Sequence, residues 1–125
     1  MEMMIGGAFQ GKEELAKRCY PDVNWSYGTS VTRQELFRAE GVIGFHELIK
    51  RELQEGKDVS DLAQALIQEN PDLIVVSDEV GYGVVPMDAF DRRYREAVGR
   101  TCTELASFSS KVTRVVCGIG TVIKE

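Results

Sequence analysis

The sequence predicts a single α/β domain, spanning residues 1–125, with a mostly parallel central sheet. Short apolar runs alternate with stretches in which apolar residues recur every three or four positions. This alternation is typical of strands that are joined by right-handed helical crossovers. The continuous apolar run Leu73–Val76 indicates a strand that is buried on both faces, as in a parallel sheet. A chain of this length usually forms one domain.

The first part of the chain begins with a predicted strand at Met3–Ile5, which two glycines follow. The apolar spacing from Lys12 onward predicts a helix that ends before Pro21. Residues 20–31 contain Pro, Asn, Gly and several Ser and Thr, so we expect a loop there. Residues 32–35 read Thr-Arg-Gln-Glu, and this capping-box spacing predicts a short helix.

The middle of the chain is predicted to hold one short strand and two helices. The strand covers residues 42–45, and the first helix covers residues 46–55. The second helix carries the apolar residues of the segment 62–67, with Ser60 as its N-cap and Asn70-Pro71 at its end.

The last third is predicted to hold a long helix that Asp88 and Asp91 open, followed by a buried strand at Val112–Cys117. The segment Gly118–Ile123 is expected to be a turn with at most a short extension. The inner stripe of the long helix is expected to consist of Phe90, Tyr94, Ala97, Val98, Cys102, Leu105 and Phe108.

Composition excludes several classes of function. The net charge of −5 argues against a general nucleic-acid binder, because such proteins neutralise phosphates with basic residues. No apolar run approaches the roughly 20 residues of a membrane-spanning helix, and residues 1–5 are too short and too acidic for a signal peptide. Cys19, Cys102 and Cys117 form no CxxC pair, so we expect reduced, packed cysteines in a cytoplasmic protein without a structural zinc site.

The first candidate site is a glycine loop between the first strand and the first helix. The run Gly6-Gly7-Ala8-Phe9-Gln10-Gly11-Lys12 matches the phosphate-binding pattern GxxxxGK, in which backbone N–H groups and the lysine hold phosphates. The pattern continues with Ser or Thr as a magnesium ligand, but Glu13 stands there in this chain. The alternative interpretation is a glycine turn beside a surface lysine.

A second candidate site follows the Leu73–Val76 strand. Asp78 and Glu79 could bind magnesium, polarise water or contact ribose, and the arginines of the following helix could pair with phosphate. The alternative is a strand end, a glycine turn and a solvated helix face. His46, the only histidine, could act as an acid, a base or a phosphate ligand, or could make local hydrogen bonds at a helix start. The carboxyl ends of parallel strands meet at one edge, so these segments should converge.

Three segments then point to a family. They are Leu73-Ile74-Val75-Val76-Ser77-Asp78-Glu79-Val80-Gly81-Tyr82-Gly83-Val84-Val85-Pro86, Arg95 with Gly99-Arg100, and Val116-Cys117-Gly118-Ile119. These segments closely resemble the adenosylcobinamide kinase / adenosylcobinamide-phosphate guanylyltransferase family of cobalamin biosynthesis, and the glycine loop resembles that family's phosphate loop. The resemblance implies a P-loop NTPase-like three-layer sandwich and a trimer. It also implies phosphorylation of adenosylcobinamide by a nucleoside triphosphate, followed by GMP transfer through a histidine–guanylate intermediate.

On this basis we expect a nucleotide-binding protein that uses ATP or GTP, with Mg²⁺ as a candidate cofactor whose loop ligand is missing. The expected site consists of catalytic Lys12 and Glu79, of Gly6–Glu13 as nucleotide contacts, and of His46, Asp78, Gly81, Gly83, Pro86, Arg95 and Arg100 as substrate contacts.

Two departures from the family pattern favour kinase chemistry over guanylyl transfer. Residues 20–38 are shorter than the family's segment and contain no histidine, and His46 does not align with the guanylylated one. Trp25 and Tyr27 in that segment are expected to cover the core rather than to form a lid or a partner surface. The alternatives are a non-catalytic family member that binds a nucleotide or a corrinoid as a regulatory module, and an unrelated phosphotransferase that reuses the fold.

Overall fold

The computed structural model describes residues 1–80 and 88–125, which form one six-stranded sheet with helices on both faces. The strands are β1 (Glu2–Gly6), β2 (Trp25–Tyr27), β3 (Gly41–Ile43), β4 (Ile74–Asp78), β5 (Lys111–Val116) and β6 (Ile119–Lys124). The helices are α1 (Lys12–Cys19), α2 (Arg33–Leu36), α3 (Phe45–Gln54), α4 (Leu62–Glu69) and α5 (Ala89–Phe108).

The sheet order is β2-β3-β4-β1-β5-β6, and every neighbouring pair is parallel except β5 with β6. The α/β prediction with a mostly parallel sheet is therefore confirmed. In this order β1 lies between β4 and β5, and Gly6 is the register partner of Asp78. The ends of β1 and β4 thus bring the glycine loop next to Asp78, one of the two carboxylates singled out in the sequence.

Two apolar layers cover the sheet. The larger layer contains Met3, Val75 and Val112 from the sheet, together with buried residues of α3, α4 and α5. The smaller layer contains Met4 and Val76, and Ala16 of α1 packs on it. Alternate residues of one strand, such as Met3 and Met4, enter opposite layers because side chains alternate along a strand. This double burial explains why β4 appears in the sequence as a continuous apolar run.

Helix starts follow the sequence signals at two of three predicted positions. The hydroxyl of Thr32 accepts from the Glu35 N–H, and the carboxylate of Glu35 accepts from the Thr32 N–H, so the predicted capping box is present. The carboxylate of Asp88 accepts from the Asp91 N–H at 2.7 Å and caps α5. The prediction for Ser60 is wrong: Asp61 is the N-cap of α4 and makes no side-chain cap hydrogen bond, while the Ser60 N–H donates to the Asp58 carboxylate.

Two strands lie where the sequence predicted loop or turn. The loop prediction for residues 20–31 misses β2, a three-residue edge strand that pairs only with β3. The turn prediction for residues 118–123 misses β6, which forms a hairpin with β5. Cys117 and Gly118 both have positive φ, 51° and 75°, and two such residues form the tight turn that suits the twist of a hairpin. β2 is too short to give a periodic signal, and β6 shows no apolar alternation of a half-buried strand.

Two burial predictions are also wrong. The inner stripe of α5 ends at the fully buried Leu105, and Phe108, one turn further on, is 43% exposed. Cys19 and Cys117 are exposed rather than packed, because one lies at the end of α1 and the other in the hairpin turn. Only Cys102 is packed beside the core. Within residues 1–80 and 88–125, no helix combines the length and the apolar character that crossing a membrane requires.

Candidate functional site

The carboxyl edge of the parallel strands opens into a cleft of about 500 Å³. One wall is formed by the loop after β1 and by the first turns of α1, and the other by the ends of β3 and β4 and the start of α3. The lining residues are Phe9, Gln10, Gly11, Lys12, Glu13, Glu14, Lys17, Ile43, Gly44, His46, Val76 and Asp78. This is the edge at which ligands bind in open α/β sheets.

The glycine loop is held in its shape by the β5–β6 hairpin. The side-chain carbonyl of Gln10 accepts from the Cys117 N–H at 2.7 Å, and its backbone carbonyl accepts from the Gly118 N–H at 2.7 Å. Within the loop, Phe9 and Gly11 adopt left-handed backbone angles, with φ of 61° and 85°. Phe9 is fully exposed above the cleft. The loop therefore depends on a contact with residues more than 100 positions further along the chain.

Lys12 is the buried cation of the cleft. It is the first residue of α1, its side chain is 8% exposed, and its Nζ donates to the Gly7 carbonyl at 2.6 Å. The same Nζ lies 2.7 Å from Oδ1 of Asp78. An ammonium group at a helix N-terminus beside a glycine loop is an arrangement that favours a bound phosphate, because helix dipole and lysine add positive potential. The structure thus brings Gly6–Lys12 and Asp78 together.

His46 lies on the opposite side of Asp78. Its Nδ1 accepts from the Asp78 N–H at 3.1 Å, and its Nε2 lies 3.4 Å from Oδ2 of Asp78 and 3.5 Å from a carboxylate oxygen of Glu47. Burial lowers the pKa of His46, which favours the neutral ring. Because Nδ1 is an acceptor, the proton of the neutral ring is assigned to Nε2, which faces the carboxylates.

Glu13 occupies the position at which the phosphate-loop pattern has a hydroxyl. Its carboxylate accepts from Lys17 at 2.9 Å and from the Tyr27 hydroxyl at 3.2 Å, and the hydrogen bond from Lys17 lowers the pKa of Glu13. Tyr27 is exposed and contacts α1 beside the cleft, whereas Trp25 packs edge-on against Tyr20 over the smaller apolar layer. The expectation that both rings cover the core therefore holds for Trp25 and is wrong for Tyr27.

The residues of the cleft do not fit a magnesium ion held by the loop. The loop offers no hydroxyl at the Glu13 position, and the Asp78 carboxylate is paired with Lys12. In the part of the chain that the structure describes, no three His, Cys, Asp or Glu side chains cluster in a way that could hold a metal ion. We therefore derive no chemical step through a metal at this site.

Several residues predicted for the site lie away from the cleft. The carboxylate of Glu79 is paired with Arg114 at 3.2 and 3.3 Å and lines a second cavity. Arg95 pairs with Asp91 one turn earlier in α5, and Arg100 lies in a separate depression near residues 57–60. Gly81, Gly83 and Pro86 lie outside the described residues.

Sequence reasoning missed two contributors to this region. Arg114 breaks the apolar run of the last strand, and that interruption is the signal that could have singled it out. Gly28 packs against the end of β3: its N–H donates to the Ile43 carbonyl at 2.8 Å, and a Cβ there would lie 1.8 Å from the Gly44 carbonyl oxygen. No local sequence signal distinguishes this glycine from an ordinary loop glycine.

Comparison with known proteins identifies the family. The family model described as cobinamide kinase / cobinamide phosphate guanyltransferase, CobU, matches residues 28–123. The chain belongs to the CobU family. The resemblance to this family is therefore confirmed, and the α/β sheet described above is the P-loop NTPase-like fold of that family. The glycine loop Gly6–Lys12 lies outside the matched residues.

Two curated CobU proteins match the chain over a shorter stretch. Both are described as bifunctional adenosylcobalamin biosynthesis protein CobU, one from Escherichia coli (strain K12) and one from Salmonella typhimurium (strain LT2). Each is 40% identical over 52 residues, which is 42% of this chain and 29% of the relative. The alignment thus spans less than a third of the length of these relatives.

Proposed function

We propose that this CobU-family chain binds ATP or GTP through Gly6–Glu13 and transfers the terminal phosphoryl group to cobinamide or its adenosyl form. The observation that carries the proposal is the buried ammonium of Lys12, held between the Gly7 carbonyl and Asp78 at the start of α1. A buried lysine beside a glycine loop at the carboxyl edge of a parallel sheet supports polyphosphate binding.

The phosphates would lie over the loop, against the first N–H groups of α1. These N–H groups have no partner within the helix, and the helix dipole favours negative charge there. The ammonium of Lys12 has three donors, of which one is directed to Gly7 and one to Asp78. A third donor can reach an outer phosphate oxygen, so Lys12 can stabilise the charge that develops during transfer.

Asp78 is the proposed proton acceptor. In the proposed step, the acceptor hydroxyl oxygen forms a bond to the terminal phosphorus, the bond from phosphorus to the bridging oxygen breaks, and a nucleoside diphosphate leaves. The hydroxyl proton goes to the Asp78 carboxylate. His46 holds the backbone of Asp78 through Nδ1 and faces its carboxylate through Nε2, so His46 is a positioning residue. Glu79, which is expected from the sequence to be catalytic, is instead proposed to line the site where the phosphoryl acceptor binds.

Guanylyl transfer is not part of this proposal. The relatives are named bifunctional, but a histidine–guanylate intermediate needs a histidine nitrogen that can attack phosphorus. His46 is the only histidine of the chain. Its Nδ1 accepts from the Asp78 N–H, and its Nε2 faces the carboxylates of Asp78 and Glu47, which would repel an incoming phosphate.

A second candidate is a non-catalytic family member that binds a nucleotide or a corrinoid as a regulatory module. The position of Glu13 favours it, because a carboxylate replaces the hydroxyl and adds negative charge to the wall of the cleft. This candidate predicts binding without turnover. Phosphorylation of cobinamide well above that of a Lys12→Ala variant would contradict it.

The proposed function is tested by calorimetric titration with ATP and with GTP, each in the presence and in the absence of Mg²⁺. We expect saturable binding, and we expect the Lys12→Ala variant to bind nucleotide with an affinity at least tenfold lower. The matched control is Lys57→Ala, which removes an exposed lysine outside the cleft. Absence of binding by the unaltered protein at millimolar nucleotide would refute the proposal.

We also propose that the chain acts as one domain in a cytoplasmic homotrimer, as the resemblance implies. The β5–β6 hairpin carries the neighbouring exposed apolar residues Val116 and Ile119, and an exposed apolar patch is a usual site of association. Sedimentation velocity of the purified protein tests the assembly, and a monomer at micromolar concentration would contradict it.

A further inference from the structure

A second cavity, of about 570 Å³, lies on the α5 side of the sheet. Its apolar lining includes Ile5 of β1, Val98 of α5 and Ile123 of β6. Its volume falls within the roughly 300–1,000 Å³ of typical small-molecule sites. The described residues therefore form a ligand-sized apolar space that the proposed nucleotide site does not use.

The second cavity adjoins the nucleotide cleft. Asp78 lines both, and the second cavity also contains the neighbouring Glu79. A molecule in the second cavity would thus lie beside the carboxylate that Lys12 contacts at 2.7 Å. A kinase needs this relationship, because the acceptor hydroxyl must reach the terminal phosphate while the nucleotide occupies the cleft.

The charges of the second cavity are balanced. The two carboxylate oxygens of Glu79 lie 3.2 and 3.3 Å from Nε and Nη2 of Arg114, and the Asp78 carboxylate is paired with Lys12, so each carboxylate of the wall has a cationic partner. An ion pair beside an apolar wall suits a ligand with apolar faces and neutral polar groups, since neither a strong anion nor a strong cation is selected. A corrinoid, whose ring is apolar on its faces and fringed with amides, has this chemistry.

We propose that the second cavity is the acceptor site and that it receives the hydroxyl-bearing part of cobinamide. This inference rests on the proposed kinase function. The hydroxyl would point toward Asp78, where it loses its proton as it forms the bond to phosphorus and as the nucleoside diphosphate leaves. The apolar wall would hold the adjoining part of the ring.

Substitution of Gly99 can test the role of the second cavity without disturbing the packing of the core. This residue of α5 lines the cavity, and a Cβ built on it meets no atom within 4 Å. Its φ is not in the left-handed region, so a side chain causes no backbone strain there. A large side chain can therefore be added to this wall of the cavity without displacing packed residues.

The experiment compares Gly99→Phe with Glu96→Phe, which adds the same ring to an exposed position of α5 outside the cavity. Cobinamide binding is measured by equilibrium dialysis, and GTP binding is measured separately by calorimetry. We expect Gly99→Phe to weaken cobinamide binding at least tenfold and to leave GTP binding unchanged. The Glu96→Phe control should bind cobinamide as the unaltered protein does.

A second pair of variants covers the case in which Gly99→Phe folds poorly. Ile123→Lys places a charge at an exposed position of the cavity wall, and Val122→Lys places one on the neighbouring exposed residue, which does not line the cavity. Only Ile123→Lys should weaken cobinamide binding.

Unchanged cobinamide binding in both Gly99→Phe and Ile123→Lys would overturn the assignment of the acceptor site, and so would a protein that binds GTP but no cobinamide. If the unaltered protein bound neither ATP nor GTP, this result would instead refute the proposed function.

Discussion

Nζ of Lys12 lies 2.7 Å from Oδ1 of Asp78, so the first residue of α1 and the last residue of β4 meet beneath the glycine loop. Both side chains are largely buried, at 8% and 23% exposure. This ion pair couples the residue that would bind phosphate to the residue that would accept the proton. It therefore allows binding and turnover to be separated by a single substitution.

We expect Asp78→Asn to bind nucleotide more tightly and to turn over more slowly. Removing the carboxylate frees Lys12 and takes away a negative charge near the phosphates, an effect of about 1 kcal/mol or roughly fivefold in affinity. Turnover should fall at least 100-fold because the proton acceptor is lost. Calorimetry and a coupled kinase assay check the two changes, and a variant that keeps its rate would exclude Asp78 as the base.

Glu13→Thr should make nucleotide binding dependent on magnesium. The substitution supplies the hydroxyl that the phosphate-loop pattern requires and removes a negative charge from the cleft. We expect affinity in the presence of Mg²⁺ to rise at least tenfold. The Lys17 pair that is lost is exposed and contributes little, so stability should barely change.

The control for Glu13→Thr is Glu14→Thr. It removes the same charge from the next residue of α1, which also lines the cleft, but adds a hydroxyl where the pattern has none. Equal gains in magnesium-dependent affinity in the two variants would show that charge alone is responsible.

Stability should fall in mild acid because of His46. Burial lowers its pKa below the unfolded value of 6.5, despite the opposing effects of Asp78 and Glu47, while Lys12 and Lys50 act in the same direction as burial. As the pH falls below 6.5, His46 is protonated more readily in the unfolded chain than in the folded protein. The free energy of unfolding therefore decreases until the pH reaches the pKa of His46 in the folded protein. The stabilising contribution is complete above pH 6.5.

His46→Asn is the variant that isolates this effect, because its amide oxygen can accept from the Asp78 N–H but does not titrate. Urea unfolding at pH 7.5 and pH 5.5 gives the free energy of unfolding at each pH. The loss between the two should be smaller in the variant than in the unaltered protein. An equal loss in both proteins would mean that other groups cause the pH dependence.

Gly28→Ala should destabilise the protein by about 3 kcal/mol, because its Cβ would lie 1.8 Å from the Gly44 carbonyl oxygen and the backbone would have to move. Gly99→Ala is the matched comparison, since a Cβ there meets nothing and alanine favours the helix by about 0.5–1 kcal/mol. Urea unfolding of both variants should give changes of opposite sign. A neutral Gly28→Ala would mean that the segment after β2 adapts easily.

Local signals explain what could be predicted of the fold and the site. The apolar run of β4, the capping box at Thr32 and the glycine loop before Lys12 are each encoded within a few neighbouring residues. The edge strand β2 was missed because it is only three residues long, and β6 was missed because its residues are mostly exposed and carry no apolar alternation. Their pairing is stabilised by the neighbouring strand rather than by a local pattern.

The sequence by itself determined the α/β class, the position of the glycine loop and the family, because these depend on patterns that are continuous along the chain. Only the tertiary structure decided which side chains meet. The parallel register that pairs Gly6 with Asp78 brings Lys12 and His46 to the same carboxylate, and the same packing directs Glu79 to Arg114. Such contacts join residues 30 or more positions apart, and strand order and register, rather than local propensity, set their distances.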